Sequence, residues 1–517
     1  MPRRLFPYNR FIGLDSVTSP TNMSERFLVE LSGAYVDFRG QIVKGPGLNE
    51  NSTGFMYNVR HYGADAVAEY QYDGTDVDIH VGSTIFNNAF QASTASITPI
   101  SLVNFDQKLF AFMEGHTPKY WDGSAHNTAT TSNASSLGRY PDGGHAVNVL
   151  NRLCVAGIPN KPTEIHISVQ NTFDDWRTNT SGGTTPSATD GAIIDVKNEF
   201  SSNDTIQGLA VLEGDKLVVF GQNETLVYLA DTNINQWQIA RDFRVPIGIF
   251  GRNTAVNVGT DVFFCSRFGV HSLRRAASGL TLETIMLSRE IQDLFRDVVD
   301  AVPTSGLLTE PHAVWDGELG QYHVFFPRFV GSAYTTTKFD KLTFTYEPGV
   351  GRGGFRSFSF TSDTDQTCGS FFAKPDAVNS QQTSLQVGST SGRGNGQDLA
   401  RNPQVTTNGG MTVRTPLLSQ STPDKYKMYK RLVVRAVGDS TATFHCRIYD
   451  ENSNLLQDTE VTPEPDGFGG RSGINNTQTR PIDIPIPHRA MAVSVEFFCD
   501  NIGELRILDF GLVVDIK

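Results

Sequence analysis

A polar turn, about four apolar residues, a break and a second short run recur along this sequence. The clearest copies are "NFDQKLFAFMEGHTPKYWDG" from Asn104, "NVLNRLCVAGIPNKPTEIHIS" from Asn148 and "VLEGDKLVVFGQNETLVYLAD" from Val211. Two more are "NVGTDVFFCSRFGVHSLRR" from Asn257 and "VWDGELGQYHVFFPRF" from Val314. With Leu109, Leu153, Leu217, Val262 and Tyr322 as equivalent points, the gaps are 44, 64, 45 and 60 residues. A four-stranded propeller blade takes roughly 40–45 residues, so two gaps fit a blade and two fit a blade with an insertion. Fainter copies lie at "YDGTDVDIHVGS" from Tyr72 and "QQTSLQVGSTSG" from Gln381.

The physics of a blade accounts for the pattern. Antiparallel hairpins need turns of unusual dihedral angle, which Gly, Asp and Asn supply. Inner strands are covered on both faces, so they read as unbroken apolar runs such as Val262-Phe263-Phe264-Cys265. Gly269 is expected to occupy a left-handed turn position in its hairpin. Composition agrees, with 48 Gly, 34 Phe and only 19% charged residues in 517. The fold class expected is all-β: a β-propeller with inserted loops and one helix, plus a C-terminal β-sandwich.

The interruptions divide the chain. Residues 1–60 form an N-terminal strand segment joining the propeller or a platform, 61–400 the propeller, and 411–517 the sandwich. Residues 171–204 are a long polar insertion expected to project from one face, and 124–145 resemble it. One helix, "SREIQDLFRDVVDAV" from Ser288, places Ile291, Leu294, Phe295 and Val298 on one stripe. Ser288 is expected to cap it, with Pro303 beyond its end. The stripe either packs on the propeller or makes a subunit contact. Residues 389–411 are rich in Gly and Asn, and beyond them apolar and polar positions alternate as in a sandwich. The loop 463–476, with Asp466, Phe468 and Arg471, is long and glycine-rich.

Catalytic signatures are missing. The sequence holds no GxSxG, HExxH, Walker or Rossmann motif. "GFGGRSG" at 467–473 lacks the following GK[ST] and the strand-to-helix setting of a phosphate loop. "SATDGAIID" from Ser187 lacks the spacing and the Trp of a sialidase Asp box. Asp174 and Asp175 are adjacent and read as a solvated loop rather than a glycosidase pair. Glu164 and His166 share a strand face, as a metal-binding pair could, with no third ligand evident. Trp121, Trp176, Trp237 and Trp315 read as packing residues. No catalytic, cofactor or metal residue is expected. The cysteines Cys154, Cys265, Cys368, Cys446 and Cys499 are odd in number and widely spaced, which predicts buried thiols in a reducing compartment. The basic start "MPRRLFPYNRF" has no apolar stretch behind it, and no run of 18 apolar residues occurs, so neither a signal peptide nor a membrane span is expected. The formal net charge of −12 argues against gripping phosphate backbones.

Four stretches together resemble the tail nozzle proteins of short-tailed bacteriophages, also called packaged-DNA stabilisation or tail tubular proteins. They are "GLDSVTSPTNMSERFLVELSGAYVDFRGQIVKGPG" (13–47), "FDDWRTNTSGGTTPSATDGAIIDV", the strand pair carrying F-G-x-x-x-T-x-x-Y, and "VFFCSRFGVHSL". They cover roughly residues 10–300. The chain lacks the long additional domain of larger members. The resemblance implies a structural virion protein of the tail, assembled in the host cytoplasm and forming a homohexamer. Such a ring sits below the portal and its adaptor, extends and gates the DNA ejection channel, and anchors tail fibres or spikes. Viral DNA would pass without sequence-specific binding. On this reading Ile291, Leu294, Phe295 and Val298 are candidate subunit-contact residues and Asp466, Phe468 and Arg471 a candidate gate. The alternative is a carbohydrate-binding or glycan-cleaving propeller; a monomeric scaffold propeller is a third reading.

Overall fold

The computed structural model describes residues 3–37, 39–45, 58–62, 66–72, 76–81, 84–91, 101–130, 140–180, 186–201, 203–240, 244–273, 286–302, 310–317, 320–329, 337–346, 355–364, 366–374, 382–389, 410–420, 425–438, 442–465, 480–500 and 505–516. For 58–91 and 355–389 the description is of strand pairing alone. The candidate gate residues Asp466, Phe468 and Arg471 lie outside the described residues.

Seven small antiparallel sheets follow one another in the chain. Blade 1 contains Asn58–Tyr62, Ala66–Tyr72, Asp76–Val81 and Thr84–Gln91. Blade 2 contains Ser101–Phe105, Lys108–Phe112, Lys119–Trp121 and His126–Thr128. Blade 3 contains His145–Val149, Arg152–Ala156, Glu164–Ile167 and Ala192–Asp195. Blade 4 contains Gly208–Leu212, Lys216–Phe220, Thr225–Leu229 and Gln238–Ile239. Blade 5 has three described strands, Val256–Val258, Asp261–Cys265 and Val270–Ser272. Blade 6 contains His312–Asp316, Gln321–Phe329, Thr337–Tyr346 and Phe355–Thr364. Blade 7 has two described strands, Gln366–Lys374 and Gln382–Ser389. From blade 2 to blade 7 the first strand of each sheet lies beside that of the next, and Gln366–Lys374 lies beside Asn58–Tyr62. The last sheet of the series thus stands beside the first, as in a propeller.

Leu109, Leu153, Leu217, Val262 and Tyr322 each occupy the second position of the second strand of blades 2 to 6, and all are buried. The long gaps have distinct causes. The insertion of blade 3 separates its last two strands, and a helix separates blades 5 and 6. The insertion does not simply project. Trp176, Val196 and Phe200 are buried, the first in the core between blades 2 and 3 and the others in the core between blades 3 and 4.

The helix begins as a 3-10 turn at Arg289–Ile291 and continues as α1, Gln292–Asp300. Ile291, Phe295 and Val298 are buried and Leu294 packs against the same core, so this stripe serves the chain's own fold. The Phe295 ring meets Phe326 of blade 6 edge-on at 5.6 Å. Ser288 does not cap the helix; its Oγ instead accepts the Val270 amide at 3.0 Å. Gly269 does not take the left-handed position expected of it. It must be glycine because a Cβ there would collide with Ser288 and Met286. A left-handed glycine of blade 5 lies instead in the preceding hairpin: Gly259, between its first two described strands, with φ +63°.

The N-terminal segment is hydrogen-bonded into the two sheets of the C-terminal sandwich. One sheet joins Lys427–Gly438, Leu505–Ile516, Ile482–Ala490 and Glu464–Pro465 to Arg3–Tyr8, Ala34–Val36 and Ile42–Lys44. The other joins Leu455–Val461, Phe444–Asp450, Val493–Cys499 and Met411–Arg414 to Glu30–Ser32. Gly33, at φ +62°, takes the chain from one sheet to the other, where a Cβ would strike the Gly410 carbonyl. The outer strand of blade 6, Phe355–Thr364, lies against Glu30–Ser32 and Ala34–Val36. A single apolar core consequently runs from blades 5 and 6 through α1 and the N-terminal segment into the sandwich. Phe263 is one of its hubs, meeting Tyr322, Phe344 and Tyr346 at 5.8, 5.8 and 5.2 Å.

Candidate functional site

The polar groups with the strongest mutual influence gather where the inner strands begin. Arg252 precedes blade 5, and its Nε and Nη2 donate to Glu310, which precedes blade 6, at 3.0 and 3.1 Å. Its Nη1 lies against Gly144, the residue before blade 3; a Cβ there would come within 2.7 Å. Gly208, the first residue of blade 4, faces the Arg252 backbone. Elements of blades 3, 5 and 6 thus meet at the Arg252 guanidinium, and blade 4 meets the Arg252 backbone. Glycine at 144 leaves the space that the guanidinium fills.

Two histidines begin the inner strands beside it. His312 donates through Nδ1 to the Glu310 carbonyl. Burial pushes His312 down to about 4, reinforced by Arg252 and opposed by Glu310. Burial and Arg252 hold His145 well below the ordinary imidazole range. Both are therefore neutral at pH 7. Asp142 lies just before this strand, and its carbonyl accepts the Gly115 amide at 2.8 Å. The arrangement is a packed clasp with one ion pair and neutral imidazoles, suited to holding blades 3 to 6 in register.

Blade 3 carries a second polar group. His166 Nε2 donates to Glu164 at 2.9 Å, and Lys161 Nζ pairs with the same carboxylate at 2.6 Å. Burial raises the Glu164 carboxyl, yet the bonds from Lys161 and His166 prevail and hold it below its ordinary value. The two residues do meet, as their spacing suggests, and Lys161 completes the set. No group of three metal-ligating acids, histidines or cysteines occurs among the described residues.

Arg152, like Arg252 and Glu310, is a polar residue the sequence did not single out. It is fully buried at the start of the second strand of blade 3. Its guanidinium donates to the carbonyls of Ser168, Ala188, Thr189, Asp190 and Thr232 at 2.6–3.3 Å. Asp190 in turn accepts from the Ser187 amide at 2.6 Å and from the Thr180 hydroxyl. One cation thereby ties the insertion to blades 3 and 4. A strand-initial Arg carries no sequence mark that separates it from a solvated one.

The remaining candidates have structural partners. Asp175 forms a bidentate pair with Arg177 at 3.1 and 2.7 Å, so it does not join Asp174 as an acid pair. Trp176 and Trp121 are buried, Trp237 Nε1 donates to the Asp231 carbonyl, and Trp315 packs on Phe263. Cys154, Cys265, Cys446 and Cys499 are buried, and burial pushes the Cys154 and Cys265 thiols up to about 12. No helix among the described residues is long and apolar enough to cross a membrane.

No family model matches the chain, and no curated protein matches it. Solved structures similar to it include YCF48 bound to D1 peptide, at 13% identity and TM-score 0.25 over 40% of this chain and 59% of that one. Another is the extracellular domain of a hybrid two-component system from B. thetaiotaomicron, at 8% identity and TM-score 0.38 over 87% of this chain and 56% of that one. A third is virginiamycin B lyase from Staphylococcus aureus, at 8% identity and TM-score 0.35 over 68% and 97%. The chain spans a little over half the length of the first two. Likeness at this level decides nothing about activity.

Proposed function

We propose that this chain is a structural subunit of the tail nozzle of a short-tailed bacteriophage, built as a homohexameric ring. The observation that carries the reading is the union of Glu30–Ser32, Ala34–Val36 and Ile42–Lys44, strands within the stretch that bears the resemblance, with the C-terminal strands in one sandwich that shares its core with the propeller. A sandwich continuous with a propeller suits a part that must hold its shape under the thrust of moving DNA. Blades 3 to 6 converge on the Arg252–Glu310 pair. On this reading the DNA passage therefore lies between copies rather than along a propeller axis. The ring would sit below the portal adaptor, carry fibres or spikes on its side, and belong to the virion tail. Its work is mechanical, and the polar clusters serve its architecture.

Immunogold electron microscopy with an antibody to the chain tests this on particles from a producing culture. Label at the distal tip of short tails supports it. Clean particles without label overturn it and turn attention to a glycan-binding screen of the free protein.

A further inference from the structure

Resting on the reading of the chain as a ring subunit, two exposed features suggest how neighbouring copies meet. The first is the turn between the last two described strands of blade 5. Ser266 Oγ accepts the Phe268 amide at 3.0 Å and is hydrogen-bonded to His271 Nε2 at 2.7 Å. The Ser266 amide donates to the Gly269 carbonyl at 2.9 Å, and Gly269 is wedged against Ser288 and Met286. This frame holds two outward residues. Phe268 is 67% exposed, the highest value among the exposed large hydrophobic residues described. The Arg267 guanidinium lies over the Phe250 ring at 5.3 Å. The turn is thus a pre-ordered basic and aromatic knob, the residue types that dominate interface energetics at low ordering cost.

The second feature is the outer face of α1. Asp293, Asp297 and Asp300 are exposed at i, i+4 and i+7, and Leu294 borders them half-buried. None of the three forms an ion pair with a described residue, and the last turn of α1 contains no basic residue. Asp293 and Asp297, and Asp297 and Asp300, are spaced to repel one another. Asp293 lies in the first turn, where the dipole favours it, but Asp300 at the last position opposes the dipole, and the exposed Arg296 forms no ion pair with any of the three. A cation docking there relieves both. Arg267 makes no ion pair with this stripe in its own copy.

We propose that the knob at Arg267 and Phe268 of one copy docks on the α1 stripe of a second copy, with Arg267 among the carboxylates and Phe268 covering Leu294. The contact joins two different patches, so it closes a two-fold pair where both copies reciprocate it and propagates head to tail into a ring where they do not. The ring reading requires the second, and a wild type that stops at dimers overturns it.

Mass photometry and light scattering of the full chain test it, with circular dichroism as the check on folding. The wild type should form a closed oligomer. Arg267→Glu and the double variant Asp293→Lys/Asp297→Lys should each raise the concentration needed for assembly at least tenfold. Combining all three substitutions should restore assembly, which no folding defect would do. Phe268→Ala, which changes no charge, should weaken assembly with an unaltered melting temperature. If Arg267→Glu assembles like a wild type that itself forms rings, the contact is wrong while the ring reading stands. A wild type monomeric at every concentration overturns the contact whatever tail-tip labelling finds, and absent labelling removes the ring reading itself.

Discussion

At the residue scale, the chain relies on buried polar groups whose partners are backbone atoms or one another. Arg152 is the sharpest case. Arg152→Leu would strip five carbonyls of a donor, and leaving buried acceptors unmet costs roughly 3 kcal/mol or more in sum. The variant should melt lower and be cut by protease within 171–204 before the rest of the chain. Arg152→Lys should not restore it, because an ammonium cannot span the same acceptors. Intact resistance of the insertion in Arg152→Leu would show that something else holds it. Burial lowers both His271 and His312 to about 4, whereas the unfolded chain titrates near 6.5. Between these values the unfolded state binds more protons, so stability present above pH 6.5 drains as pH falls toward 4, by roughly 1 kcal/mol per pH unit for each histidine. Urea unfolding at pH 7.5 and pH 5 should show a lower midpoint at pH 5. The drop should shrink in His271→Gln if that variant folds.

At the element scale, sequence and structure agree where packing alone sets the pattern. The five equivalent points all fall at one register of the second strand, because each of these strands opens on a polar residue and is covered on both sides, hence apolar, at its second position. The helix was legible from its spacing for the same reason. What that stripe packs against was not legible, since a face buried within the chain and one buried between copies carry the same residues. Glycine misled in a related way. Both Gly259 and Gly269 sit in turns, yet one is required by its dihedral and the other by the closeness of Ser288 and Met286, a neighbour distant in sequence. The candidate sites depended still more on distant contacts. Arg252 and Glu310 lie 58 positions apart, and no local spacing announces them. Phe295→Ala should cost about 3–5 kcal/mol through the cavity it leaves against Phe326. Leu294→Asp should also lower the melting temperature, because Leu294 packs against the same core. A Phe295→Ala protein melting like wild type would mean that the helix is dispensable to the core.

At the scale of the whole molecule, the Gly- and Asn-rich stretch at 389–411 is a boundary in composition but not in energy. The core passes from blades 5 and 6 into the sandwich, and strands from both ends of the sequence complete the sandwich sheets. A fragment of residues 410–517 should therefore melt without cooperativity. Residues 1–45 supplied through a linker should improve it. Cooperative melting of 410–517 alone at the temperature of the full chain would refute this dependence. The pairing of Arg3 with Asp515 also imposes an order of events on the ribosome. The strand Arg3–Tyr8 finds its partner only once residues 510–515 have emerged, on the order of a minute later at ordinary rates of synthesis. Through that interval the blades can close while an unpaired strand edge waits. The sandwich thus registers that Leu505–Ile516 has been made: a chain released before it carries the propeller sequence but cannot complete the sandwich.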